Sequence, residues 1–165
     1  MEIDRVSAQI LRAVLGDEPA PRPAPHKKDE GSADHWTHAV LLERAAYLRK
    51  MAKVGDGSAA ETLKEYPQHC AMLLFRGRSG EAEVHERFAD LFVVLSGSAT
   101  LVTGGVVAGA RTVAPGETRG ASIEGGARQT LRAGDVAHVP AGTPHQMLLK
   151  GEETIASLVM KVQEA

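Results

Sequence analysis

Four side chains in the second half of the sequence are of types that bind metals or move protons. Glu83 and His85 stand in "AEVHER", Asp90 opens "DLFVVLSG", and His145 opens "HQMLLK". Glu83 and His85 are two apart on what reads as a strand, so they point to one face. Asp90 begins the next strand and shares its face with Phe92 and Val94. If that face is the interior, Glu83, His85 and Asp90 converge across one tight turn. His145 shares a face with Met147 and Leu149. Two imidazoles and one or two carboxylates among apolar side chains form a ligand set for a divalent metal. The same residues also fit a plainer arrangement, in which His85 and Asp90 are a hydrogen-bonded structural pair and His145 is a core histidine satisfied by backbone. No serine or cysteine sits in a recognisable activating motif, so a covalent nucleophile is not expected.

The stretch "GDVAHVPAGTPH", residues 134–145, shows how one of these groups is aimed. Gly134-Asp135 reads as a turn and Val136 to Val139 as a short strand. Pro140, Gly142 and Pro144 then stiffen a bend. His145 is the first residue beyond it, and a ligand needs that kind of fixed start. His138 alternates on the preceding strand and is expected to serve a supporting or structural role. His69 and Cys70 open a strand and are expected in the core or at an edge. Cys70 is the sole cysteine, which excludes an internal disulfide and a cysteine-rich zinc site.

The elements that carry these residues are mostly strands. From about residue 69 to 162 the chain runs "CAMLLFRG", "AEVHER", "DLFVVLSG", "SATLVTGG", "ARTVAP", "RQTLRAGD", "VAHVP", "HQMLLK" and "TIASLVMKV", with turn signals at Gly104-Gly105, Gly125-Gly126 and Gly134-Asp135. Short strands at this spacing indicate a sandwich or barrel. There is no room for helical crossovers, so the pairing is expected to be antiparallel. Ahead of the strands, Ile3, Val6, Ile10 and Val14 recur at helical spacing. Residues 16–34 are rich in proline and charge and read as a linker, with His26 solvated. "WTHAVLLERAAYLRKMAKVG" predicts a helix with Val40, Leu41, Ala45, Leu48 and Met51 on one face, Asp34 as its cap and Gly55 as its close. His35 and His38 at its start are expected on the surface. Ser58-Ala59-Ala60-Glu61 is a capping-box pattern and predicts a short second helix ending before Pro67. The expected organisation is residues 1–68 as helices and linker, then residues 69–165 as an all-β barrel.

The chain has 165 residues, a net charge of −2, 43% hydrophobic residues, and one tryptophan, two tyrosines and three phenylalanines. That balance offers no field for nucleic acid or an anionic membrane, and few aromatics on which bases would stack. No run is long and apolar enough to span a bilayer. The N-terminus is charged within its first five residues and amphipathic, unlike a signal peptide, so a cytoplasmic location is the default expectation.

Order and spacing in the strand-rich part resemble the cupin superfamily, in particular its small single-barrel members, over most of residues 70–160. The second cupin motif, G-x5-P-x-G-x2-H-x3-N, is met at Gly134, Pro140, Gly142 and His145, with Leu149 in place of the final asparagine. The first is met at Gly77, His85 and Gly97, with Glu83 in place of its first histidine and Asp90 in place of its glutamate. The resemblance implies a two-sheet antiparallel barrel, or double-stranded β-helix (jelly roll), and a divalent metal, commonly iron, manganese, nickel or zinc. Carried over, His85, His145 and Asp90 become metal ligands, and Glu83 completes the site or faces substrate as a base. The pocket beside the metal is expected to be mostly apolar, lined by Phe92, Val94, Met147, Leu149 and either Met72 or Leu74, and to take a small organic ligand. The implied functions are a metal-dependent dioxygenase, an isomerase or decarboxylase, or a binding module without turnover. Pairing through sheet edges makes a homodimer the expected assembly.

Overall fold

The computed structural model describes residues 33–164. The helix expected over residues 1–15, His26 and nearly all of the linker lie outside the described residues. Helix α1 (His38–Val54) begins at Thr37, whose hydroxyl accepts from the Val40 N–H at 3.2 Å. Thr37 is therefore the N-cap, in place of the expected Asp34. Asp34 instead accepts from the Tyr66 hydroxyl at 2.6 Å. At the other end the Gly55 N–H donates to the Met51 carbonyl, as expected of a closing glycine. Leu41, Ala45, Leu48 and Ala52 form the buried stripe. Val40, expected on it, lies one residue off that stripe and is exposed.

The capping-box segment is not a helix. It forms β1 (Ser58–Glu65), paired antiparallel with β2 (His69–Arg76). Asp56 accepts both the N–H and the hydroxyl of Ser58, so the local polar pattern is satisfied without a helical turn. Pairing with β2 and packing of Ala59 and Leu63 beneath α1 then decide for a strand. Arg44 of α1 pairs with Glu61 of β1. The sheet thus starts at Ser58.

The remaining strands are β3 (Ala82–His85), β4 (Phe88–Thr103), β5 (Val106–Ala108), β6 (Arg111–Ala114), β7 (Glu117–Gly120), β8 (Ser122–Glu124), β9 (Ala127–Arg132), β10 (Val136–Val139), β11 (His145–Leu148) and β12 (Ile155–Gln163). All pairings are antiparallel, in the order β1-β2-β12-β4-β11-β3-β7-β6, with β10 and β9 also on β4 and a small β5–β8 ribbon. Two segments expected as separate strands are one here, for β4 runs unbroken through Gly97. Its first half pairs with β12 and β10 and its second half with β11 and β9, so it belongs to both layers of the double-stranded β-helix. Gly97 has φ +80°, and a Cβ there would lie 1.9 Å from the Thr154 carbonyl oxygen; no side chain fits at this corner.

The two layers close on a core that includes Phe92, Val94, Leu101, Leu131, Met147 and Val159. A second core lies under α1. Strand β2 serves both, with Leu73 and Phe75 toward the helix and Met72 and Leu74 toward the interior, as alternation requires. Leu95, next after the inward Val94, faces the helix side by alternation, and the β-bulge beside it shifts the register of β4 against β12. Among the described residues, no helix is long and apolar enough to cross a membrane.

Candidate metal centre

Strand β3 ends at His85 and β11 begins at His145, and in their pairing His145 lies opposite Glu83. The bend before β11 is tied down on both sides. The Gly142 N–H donates to the His85 carbonyl at 2.8 Å, and the Gly104 N–H to the Pro144 carbonyl at 2.8 Å. Gly142 has φ +73°, a conformation that favours glycine. The residues that fix His145 therefore also hold the end of the strand that carries His85.

His85, His145 and Asp90 are 3%, 4% and 4% exposed, and Glu83 is partly buried beside them. The His85 Nδ1 is 2.6 Å from Glu117 Oε2, and the His145 Nδ1 is 3.1 Å from the Thr143 carbonyl oxygen. Both oxygens only accept, so each Nδ1 carries a proton and donates it. The Nε2 atoms are then the ones that face inward. His85 Nε2 lies 3.4 Å from oxygens of Glu83 and Asp90, and His145 Nε2 lies 3.4 Å from Asp90 and 4.0 Å from Glu83. His85 Nε2 is buried and makes no hydrogen bond. Two imidazole nitrogens and two carboxylates thus meet here, with room for a proton or a metal ion between them beside the cations that already pair with the carboxylates.

The spacing fits the second of these. Donors about 2.1 Å from a tetrahedral zinc-sized ion sit about 3.4 Å apart. The donor atoms of Glu83, His85 and His145 all lie within 4.8 Å of one another, a grouping able to hold a metal ion. Nitrogen and carboxylate donors suit zinc, iron, nickel and manganese. The Glu117 contact is the second hydrogen bond that metal-binding histidines commonly make, which orients the ring.

The electrostatics of the metal-free protein follow from the same crowding. Burial alone would push the His85 imidazole down, but the Asp90 and Glu83 carboxylates outweigh it and raise its pKa to about 9. Burial would likewise raise Glu83, yet His85, Arg119 and Arg76 bring it down to about 2. Asp90 is held far below the carboxylate range, against its burial, by His145, His85 and Lys161.

The four residues expected as ligands are therefore brought together, two from β3, one from β11 and one from β4. Beside them opens a cavity of about 350 Å³. Phe92 and Met147 line it as expected, and so do both Met72 and Leu74, which alternation places on one face. Val94 and Leu149 do not. Val94 packs deeper in the core, and Leu149 lies past the end of β11, where Ser79 accepts its N–H at 2.9 Å. The lining surface is mostly apolar, as expected, although Arg76, Glu117, Arg119 and Lys161 also reach it. Lys161 Nζ is 2.7 Å from Asp90 Oδ1, and Arg119 is 2.9 Å from Glu83 Oε2. Sequence reasoning missed these four. Lys161 and Arg76 continue the inward alternations Ser157-Val159 and Met72-Leu74, which was a usable signal; Glu117 and Arg119 lie on a strand with no apolar pattern. His138 is exposed, 4.0 Å from Glu164, and His69 stacks on Tyr66. Cys70 is half-buried, and His35 and His38 are on the surface.

No protein-family model matches the chain, and no curated protein matches it in sequence. In three dimensions it is similar to the TT1209 protein of Thermus thermophilus, at 17% identity and a TM-score of 0.51, over 75% of this chain and 95% of that one. A conserved protein with a double-stranded β-helix domain from Klebsiella pneumoniae gives 18% identity, 64% and 72% coverage and a TM-score of 0.48. A cupin superfamily protein from Desulfitobacterium hafniense gives 15%, 65% and 78%, and 0.46. With its two antiparallel layers sharing one long strand, the chain has the double-stranded β-helix fold expected from its sequence.

Proposed function

We propose that this chain binds a divalent metal ion through His85, His145, Asp90 and Glu83 and uses it to hold a small oxygenated organic ligand in the adjoining cavity. The observation that carries this reading is the inward meeting of two imidazole Nε2 atoms and two carboxylates, with the His85 Nε2 buried and without a hydrogen bond. A divalent ion bound there would supply Lewis acidity toward a ligand oxygen. Of the protein's own groups, Glu117 fixes the His85 tautomer and Thr143 that of His145. Glu83, at the cavity wall, would complete the ligand set or, left off the ion, hold or move a ligand proton. The reaction classes in view are oxidation by dioxygen with iron bound and isomerisation with another ion.

A second reading has its own support. Lys161 and Arg119 already pair with Asp90 and Glu83, an arrangement that suits a metal-free binding module. Elemental analysis of untagged protein, beside the His85→Ala/His145→Ala double variant, decides between them. Near-stoichiometric iron, manganese, nickel or zinc that is lost in the variant is the expected result. No metal in either after reconstitution overturns the metal reading. Oxygen consumption by the iron-loaded protein then separates a dioxygenase from an isomerase.

A further inference from the structure

The charged groups around the cavity are matched one for one. Glu83, Asp90 and Glu117 face it as carboxylates, and Arg76, Arg119 and Lys161 as cations. Arg119 lies 2.9 Å from Glu83 and 3.8 Å from Glu117, Arg76 lies 3.4 Å from Glu83, and Lys161 lies 2.7 Å from Asp90. Glu81, also at the cavity, turns outward to Arg111 at 2.6 Å. With this wall already neutral, a divalent ion among the imidazoles adds two positive charges that no protein group compensates. Unpaired charge is costly in so buried a place, and a ligand that brings negative charge removes the cost.

The same geometry provides the ligand's partners. Asp90 meets Lys161 through Oδ1 and the imidazoles through Oδ2. A carboxylate drawn toward a metal ion shares its charge with that ion, and its hold on the ammonium weakens. Glu83 meets Arg76 through Oε1, while its Oε2 faces Arg119 and the imidazoles together, so an ion there would compete with Arg119 for that oxygen. Lys161 and Arg119 come from opposite layers, β12 and β7, and both line the cavity.

We propose that the ligand is a small organic carboxylate, received by Lys161 and Arg119 when Asp90 and Glu83 turn to a bound divalent ion. This rests on the metal reading above and adds the ligand's charge, its chemical class and an order of binding in which the metal precedes the acid. Guanidinium and ammonium groups also accept phosphate, so inorganic phosphate belongs in the test.

The test is calorimetric and needs no turnover. Zinc is titrated into metal-free wild type and the Lys161→Gln variant, and excess zinc is removed. Malonate, its neutral analogue malonamide, and phosphate are then titrated into zinc-loaded and metal-free forms, with dialysis to check that zinc is retained. The expected result is that malonate binds the zinc-loaded wild type at least about tenfold more tightly than malonamide or the metal-free protein, as loss of one charge-assisted hydrogen bond would give. Lys161→Gln is expected to hold zinc as tightly as wild type or more so, since a competitor for Asp90 is gone, while its malonate affinity falls about tenfold. A lysine that merely supports the fold would weaken both. Equal binding of malonate and malonamide, or unchanged malonate affinity in Lys161→Gln, overturns the inference and leaves the zinc site standing. Phosphate bound in preference to malonate overturns the carboxylate assignment. Absence of zinc uptake by wild type overturns the metal site and this inference with it. Should Lys161→Gln not fold, Arg119→Gln on the opposite layer carries the same expectation, retained zinc and weakened malonate.

Discussion

At the level of single residues, Glu117 decides what His85 can offer. Its carboxylate accepts a hydrogen bond from the Nδ1–H and leaves Nε2 as the ring nitrogen facing Glu83 and Asp90. Glu117→Ala frees the ring to turn and is expected to lower zinc affinity about 10- to 100-fold, whereas Glu117→Gln, whose amide oxygen still accepts, recovers part of it. Competition against a chelating dye measures this, and an unchanged affinity in the alanine variant would show that the contact does not orient the ring. Without metal, the same cluster ties stability to pH. The His85 pKa is raised to about 9, so its contribution is complete below its ordinary value of 6.5 and disappears as pH rises through about 9. Glu83 is lowered to about 2 from 4.5, so its contribution is present above 4.5 and is lost as pH falls toward 2. The urea midpoint of chelator-treated protein is therefore expected to be highest between 4.5 and 6.5 and to decline on both sides. His85→Gln should flatten the alkaline decline, and a midpoint that climbs from pH 6.5 to 9 would contradict the charged cluster.

At the level of elements, β4 is the piece that joins the layers, and Gly97 is its corner. Gly97→Ala must place a methyl against the Thr154 carbonyl at a positive φ, for an expected loss of at least about 1 kcal/mol. Gly134→Ala also has positive φ but opens into empty space, so it is expected to lose less. Thermal melts of the two variants compare steric exclusion with backbone strain, and equal losses would remove the corner argument. The turn at Gly134 was legible in the sequence, as were β10, the proline-rich bend and β11, because rigid residues at fixed intervals dictate local geometry; the corner at Gly97 was not, since β4 runs through it unbroken. Strand β1 was not, since its Ser-Ala-Ala-Glu start obeys a local helix rule that pairing with β2 overrides. Strand β7, Glu-Thr-Arg-Gly, has no apolar alternation at all; it is a strand because β3 and β6 pair with it. Glu117 and Arg119 were hidden for that reason. The four inward-facing candidates were visible because they interrupt strongly apolar strands, while Arg76 and Lys161 stand at strand ends, where polar residues are ordinary.

Across the whole molecule, the candidate centre lies between the layers and draws on both. Glu83, His85 and His145 come from β3 and β11 in one layer; Asp90 comes from the first half of β4 in the other, where β12 and β10 pair with it. An ion held by all four would cross-link the two sheets, which also meet through apolar contacts, the Arg76–Glu83 pair and the chain of β4. Metal binding should then act as fold stabilisation by linkage, about 2.7 kcal/mol at a free metal concentration 100 times the dissociation constant. For a domain of this size that corresponds to a rise in melting temperature of about 5–11 °C. His85→Ala is expected to abolish the rise, since it removes the central imidazole. Asp90→Asn keeps an oxygen for Lys161 but weakens the one ligand contributed by the second layer, so its rise should be clearly smaller than that of wild type. A full rise in Asp90→Asn would mean that the ion is held within one layer, with Asp90 acting only as the counter-ion of Lys161. A reduced rise would make the metal a structural tie between the layers as well as the anchor for a ligand.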